Sequence, residues 1–167
     1  MKIKLVSISH KLPDWVEEGY QEYTSRFDKS IQFTCEQIPP ITRKKSDINR
    51  KKQDEGFSSE VQQVKREEGE TLLEKIHKDD HVICFDHSGT QWNSIELSRQ
   101  LEAWLQRGQN LSFIVGGPDG LDTPCLTRAN QSWSLSTLTF PHTLIKILFA
   151  EQLYRAWSIL KQHPYHR

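Results

Sequence analysis

Three short stretches concentrate residues suited to holding a ligand: Phe85-Asp86, Gly116-Gly117-Pro118-Asp119-Gly120 and Leu138-Thr139-Phe140-Pro141. Each follows an apolar run that reads as a β-strand. Open parallel sheets bind ligands at the carboxyl ends of their strands, where backbone amides and helix starts converge. Glycine at 116, 117 and 120 lets the backbone approach a ligand closely, because no Cβ intervenes and positive φ is accessible. The same glycines would equally serve a tight strand-to-helix turn with no ligand. The run is not a Walker loop, since no Gly-Lys-Ser/Thr follows, and its glycine spacing differs from the dinucleotide fingerprint.

A second concentration lies at the carboxyl end. Gln162-His163-Pro164-Tyr165-His166-Arg167 packs two imidazoles, a phenol and a guanidinium into six residues. That set suits stacking on a base and meeting a phosphate, although terminal hexapeptides are often solvated and frayed. His77, His81, Cys84 and His87 are close in sequence. Cys84 falls inside a strand, however, and no Cys-x-x-Cys spacing supports zinc, so no metal is expected. Cys125 follows Pro124 at a helix start, where a thiolate could be stabilised, yet no neighbour is an evident base.

The elements that must position these residues alternate in type. Period-2 alternation predicts a strand over Lys2–Ser7. A helix should open at Pro13-Asp14 and run to about Phe27, with Trp15, Gly19, Tyr20 and Tyr23 on one face. A second strand is expected over Ile31–Ile38, ended by Pro39-Pro40. Ile41–Gly56 is polar and lysine-rich and reads as a mobile segment or insertion, either a solvated face or a nucleic-acid contact. A helix follows over roughly Glu60–His77. His81–Phe85 reads as a strand with Asp86-His87-Ser88-Gly89 as its turn. Asn93 with Glu96 resembles a capping box for a helix through Gln106, stopped at Gly108. Then come a strand at Leu111–Val115, a short helix from Asp122 and Pro124 to about Asn130, a strand at Trp133–Leu138 and a long helix at His142–Leu160. Strands separated by helices predict parallel βαβ units. The class is α/β, a parallel sheet flanked by helices.

The chain has 167 residues and a mass of 19.6 kDa, the scale of one domain. Hydrophobic residues at 35% and charged residues at 26% argue against disorder. No apolar stretch approaches the roughly 20 residues of a membrane span, and Met1–Val6 has no apolar signal-peptide core. Three cysteines, Cys35, Cys84 and Cys125, cannot all pair within one chain, which points to a reducing cytoplasm. Basic and acidic residues balance at 22 each, but locally they do not. Arg43 to Lys52 carries six basic residues against Asp47, and Leu121 to Arg167 carries five against Asp122 and Glu151. Two basic regions therefore remain on a neutral chain.

Several segments together resemble the RlmH family of SPOUT-class methyltransferases. They are Phe113-Ile114-Val115-Gly116-Gly117-Pro118-Asp119-Gly120, Gln131-Ser132-Trp133-Ser134-Leu135-Ser136, Thr139-Phe140-Pro141-His142, Glu151-Gln152-Leu153-Tyr154-Arg155-Ala156-Trp157-Ser158-Ile159 and His163-Pro164-Tyr165-His166-Arg167, with Leu12-Pro13-Asp14-Trp15-Val16 near the start. Their order and spacing span essentially the whole chain. The resemblance implies a single SPOUT domain over residues 1–167, with a trefoil knot at the carboxyl end, acting as a homodimer. It also implies methyl transfer from S-adenosylmethionine to N3 of a pseudouridine in 23S ribosomal RNA. The small size of the chain favours a late, structured substrate, the assembled ribosome over free RNA or a subunit. The implied cofactor positions are Phe85, Gly116, Ser136, Thr137, Leu138, Thr139, Phe140 and Pro141. Phe85 stands where leucine is common in the family, and Lys51–Lys65 is longer than usual.

A sulfonium methyl is already activated, so such an enzyme aligns donor and acceptor and removes a proton. The N3 proton calls for a base, or for cationic stabilisation of the forming anion. The candidates are His142, Arg155, Tyr165 and His166, and the sequence does not choose among them. Pro164 cannot continue the last helix. The tail His163–Arg167 is therefore expected to have no core to join and to close over the target nucleotide, with Tyr165 and His166 at the base and Arg167 at a phosphate. Apolar residues on more than one face of Leu144–Trp157 suggest burial against a second copy. A non-catalytic ribosome-binding module, or a small-molecule enzyme using a nucleotide at Gly116–Gly120, are the competing readings.

Overall fold

A computed structural model of the chain describes residues 1–42 and 55–166. The basic segment Arg43–Lys52 and Arg167 lie outside the described residues. Five strands form one parallel sheet: β1 Lys2–Ile8, β2 Gln32–Ile38, β3 His81–Thr90, β4 Leu111–Val115 and β5 Gln131–Trp133. Their spatial order is β2-β1-β4-β3-β5. The helices are α1 Asp14–Thr24, α2 Glu55–Glu74, α3 Ser94–Arg107, α4 Thr123–Arg128 and α5 His142–Leu160, followed by a 3₁₀ turn at Pro164–His166.

Alternation along the strands divides the core between two faces, as a sheet covered on both sides requires. Ile3, Leu5, Ile83 and Phe113 join Tyr20 of α1, Leu101 and Trp104 of α3 and Phe149 of α5. Val6, Ile8, Cys84 and Ile114 face the other way, onto Leu72 of α2 and Cys125 of α4. Helix α5 lies against both α1 and α3. Its apolar residues on several faces are therefore used within the chain, and that pattern gives no argument for a second copy. A Cβ on Gly19 would come within 2.9 Å of Ile147 Cδ1, so this glycine lets α1 approach α5.

Local signals account for several boundaries. Asn93 caps α3 with a complete capping box, and Gly108 ends it at φ 67°. Asp122 caps α4 by accepting from Cys125 N at 3.0 Å. Three expectations need correction. Trp15 is half exposed, and Val16 with Tyr20 four positions later forms the buried face of α1. Asp86–Gly89 is not the turn after β3, because the strand continues to Thr90. Both Phe85 and Thr90 pair with Trp133, and the chain between them bulges. Finally, β5 stops at Trp133. Beyond it Ser134 Oγ donates to Ser136 O at 3.1 Å and Leu138 N donates to Ser136 Oγ at 3.0 Å. Ser134 N still donates to Thr90 O at 3.0 Å; past Ser134 these local bonds take the place of ladder bonds.

Candidate functional site

In the sheet β3 lies between β4 and β5. The glycine loop follows β4, Phe85 sits within β3 where it pairs with Trp133 at the end of β5, and Leu138 comes five residues after Trp133. Phe85 follows the Cys84–Ile114 pair of the β3–β4 ladder, and Gly116 comes two residues after Ile114. The Phe85 ring is half-buried and lies 5.0 Å from Trp133 and 6.0 Å from Phe149, centroid to centroid. Along the third loop, Ser136 and Phe140 are half-buried while Thr137, Thr139 and Pro141 are exposed. Leu138 is 70% exposed, an apolar side chain with little cover of its own.

Gly116 is required by its own chain. A Cβ there would sit 2.7 Å from the carbonyl carbon of Gly120 and 2.9 Å from Leu121 N. Gly120 N donates to Gly117 O at 2.9 Å, and Gly120 holds φ 82°, which closes the loop. The side-chain-free face of Gly116 thus packs on Gly120, not on an incoming ligand. Gly117 in turn abuts Glu68, a buried carboxylate on α2 whose Oε2 would lie 2.6 Å from an added Cβ.

His142 opens α5 directly after Pro141. Its Nδ1 is enclosed and without a partner, which leaves Nε2 as the accessible nitrogen. Burial holds its pKa below the usual histidine value, so the neutral ring is favoured. His142 lines a cleft of about 270 Å³ shared with Ile8, Leu12, Pro13, Pro118 and Pro141.

The other three catalytic candidates lie at the far end of α5. Glu151 Oε1 accepts from Arg155 Nε at 2.9 Å, from Arg155 Nη2 at 2.7 Å and from Tyr165 OH at 3.1 Å. The expectation of a tail with no core to join is therefore corrected. Tyr165 folds back onto Tyr154 at 4.8 Å between ring centroids, beside Tyr23 at 6.4 Å. The guanidiniums of Arg155 and Arg26 lie 5.1 and 5.8 Å from its ring centroid. His163 N donates to Ser158 O at 2.8 Å, and Gln162 takes φ 54°, so the chain reverses sharply after the helix. His166 Nδ1 lies 2.6 Å from His163 O. Glu151 raises the pKa of Arg155, which stays a cation. Burial, then hydrogen bonding with Tyr23 and Glu151, pushes the Tyr165 phenol up, so it remains a proton donor at neutral pH.

The four candidates thus fall into two groups. Glu151 lies nine positions after His142, about 13 Å along a helix axis. In this conformation one chain does not bring the tail to the strand-end loops. Among the described residues, no group of three His, Cys, Asp or Glu side chains could hold a metal, and no helix is long and apolar enough to cross a membrane.

With this arrangement in view, comparison with known proteins is decisive for the family. Residues 1–166 match the family model described as "Predicted SPOUT methyltransferase". The chain belongs to the SPOUT methyltransferase family. It is 43% identical to the ribosomal RNA large subunit methyltransferase H of Hahella chejuensis (strain KCTC 2396) over 167 residues, covering 100% of this chain and 99% of that protein. The protein of the same name from Marinomonas sp. (strain MWYL1) is 40% identical over 167 residues, covering 100% of both chains. The parallel α/β sheet agrees with SPOUT membership. In the sequence of this SPOUT chain Glu151 stands out only as part of the Glu151–Ile159 segment and as one of the two acids in a basic region, and Arg26 does not stand out at all. The Glu151–Arg155 pair was legible from its i,i+4 spacing. The Arg26–Tyr165 contact was not, because it joins opposite ends of the chain.

Proposed function

We propose that this SPOUT chain is a methyltransferase acting on large-subunit ribosomal RNA, transferring a methyl group from S-adenosylmethionine to N3 of a pseudouridine. The observation that carries the reading is the full-length similarity to two ribosomal RNA large subunit methyltransferases, on a fold in which Pro118 of the glycine loop shares a cleft with Pro141 and His142. The residues fit the donor: Phe85 and Leu138 offer apolar surface to an adenosine, and the exposed stretch Thr137–Thr139 offers backbone groups to its polar atoms. Bound there, S-adenosylmethionine supplies an activated methyl group.

The chain's own residues supply the rest. His142, kept neutral by burial, accepts a proton at Nε2. Arg155, kept cationic by Glu151, stabilises negative charge developing on the target base. Tyr165 stays protonated and donates a hydrogen bond, which places it among the positioning groups and removes it as a base. His166 stands beside it on the tail. The distance between His142 and the tail supports a homodimer in which the tail of one copy serves the strand-end loops of the other. The trefoil knot at the carboxyl end and a cytoplasmic location belong to the same proposal.

The test is transfer of tritium from labelled S-adenosylmethionine to ribosomes, to isolated subunits and to free RNA. Label in large-subunit RNA supports the reading. Cofactor-independent ribosome binding without label would favour a binding module, and label in neither RNA nor ribosome refutes the reading.

A further inference from the structure

We propose that Glu151 is a positioning residue that fixes the carboxyl-terminal tail and Arg155 as one unit for methyl transfer; the proposal rests on the reading that both take part in it. The Glu151 side chain is only 14% exposed, and a carboxylate so enclosed needs its charge answered. The partners present are the two chemically distinctive groups of this end of the molecule. One oxygen takes two hydrogen bonds from the Arg155 guanidinium and a third from the Tyr165 phenol. The second oxygen accepts from the Gln152 amide.

Helix geometry explains half of this arrangement, because Glu151 and Arg155 face each other at i,i+4. It does not explain Tyr165, which reaches Glu151 only because the chain reverses at Gln162 and closes a 3₁₀ turn at Pro164–His166. Among the described residues, Tyr165 OH on Glu151 is a side-chain hydrogen bond that ties the tail to α5. Charge-assisted bonds to a partly buried acceptor are stronger than neutral ones. Replacing the carboxylate by an amide keeps the shape and removes the charge that both donors share. The arginine then loses its fixed orientation and the tail its anchor. Positioning of this kind acts on turnover, since orienting groups lower the barrier without altering how the cofactor is held.

Glu151→Gln and Tyr165→Phe test this in the full chain, each read by two independent measurements. Hydrogen exchange of the segment 161–166 reports tail anchoring without any enzyme assay. Single-turnover and steady-state methyl transfer to ribosomes report kcat and the KM for S-adenosylmethionine. Glu151→Gln should accelerate exchange in the tail about tenfold or more and lower kcat by a similar factor, with the cofactor KM unchanged. Tyr165→Phe should act in the same direction, and the double variant should be no worse than Glu151→Gln, as expected for groups acting through one acceptor. Faster tail exchange with undiminished kcat overturns the proposal, as does a fall in kcat with exchange unchanged. A chain cut after Gln162 is the third arm. If it transfers methyl at full rate, the reading beneath the proposal fails and the proposal with it. If it loses transfer while Glu151→Gln keeps it, the proposal alone fails.

Discussion

Substituting Gly116 by alanine separates two roles for the glycine loop that the sequence left open. In the structure an added Cβ would stand 2.7 Å from Gly120 C, 2.8 Å from Gly120 O and 2.9 Å from Leu121 N. All three are backbone atoms, so no side-chain rotation relieves the overlap, and the loop itself must move. Overpacking of this kind costs about 1–3 kcal/mol. At roughly 2–4 °C per kcal/mol for a chain of this size, the melting temperature without ligand should fall by about 2–12 °C. S-adenosylmethionine at 100 times its Kd adds about 2.7 kcal/mol to the parent protein, and a displaced loop should shrink that increment. Gly108→Ala is the control: φ 67° makes it strained, yet nothing lies within 4 Å of its Cβ. It should lower the melting temperature by a few degrees and leave the ligand increment whole. Differential scanning fluorimetry with and without cofactor reads both quantities. If Gly116→Ala melts like the parent when unliganded but gains nothing from the cofactor, the Cβ faces the ligand and the closed-loop account is wrong.

Three further outcomes follow from the same geometry. Burial lowers the pKa of His142, so the unfolded chain binds its proton first as pH falls. Stability should therefore be fully present above about pH 6.5 and decline as pH drops from there toward the folded-state value; in His142→Asn the unfolding free energy from urea titrations should depend less on pH across that window. Lys146 is buried with its ammonium 2.5 Å from Glu17 Oε2 and 4.6 Å from the Tyr20 ring centroid. Glu17→Ala should cost about 1–3 kcal/mol by leaving that charge unanswered, discounted because Glu17 is itself half exposed. Lys146→Met should be near neutral or stabilising, and urea unfolding checks both. Deleting residues after Gln162 should cost about 1–2 kcal/mol in the same assay, because Tyr165 leaves an aromatic seat, while S-adenosylmethionine binding by calorimetry stays unchanged.

Much of the frame was legible in the sequence because its determinants are local. Leu111–Val115 and His142–Leu160 stand where apolar runs and flanking breakers put them, and Asn93, Glu96 and Gly108 delimit α3 by capping chemistry alone. The alternation of strand and helix was enough for the α/β class. The errors occur where extended chain must be told from paired chain. Asp86–Gly89 looks like a turn by composition, yet it stays in β3 because Trp133 pairs on either side of the bulge. Ser134–Leu138 has strand-like spacing, but its serines bond to their own backbone. Of the stretches singled out from composition, the glycine loop and Pro141 come together through Pro118 in one cleft, while Phe85 lies within β3 and Gly116 serves its own turn. The tail was misjudged for a physical reason: its partners Tyr23 of α1, Arg26 in the turn after α1 and Glu151 of α5 are distant in sequence, and no spacing within His163–Arg167 announces them.

The account stands or falls on where the methyl group goes. Ribosomes treated with this protein and S-adenosylmethionine should be stripped to RNA, cut into defined fragments and examined by nucleoside mass spectrometry. The expected result is a single added methyl at N3 of one pseudouridine in the large-subunit RNA, absent when either protein or cofactor is omitted. A methyl on a different base or atom, or ribosomal RNA left unmodified by active, cofactor-binding protein, would contradict it.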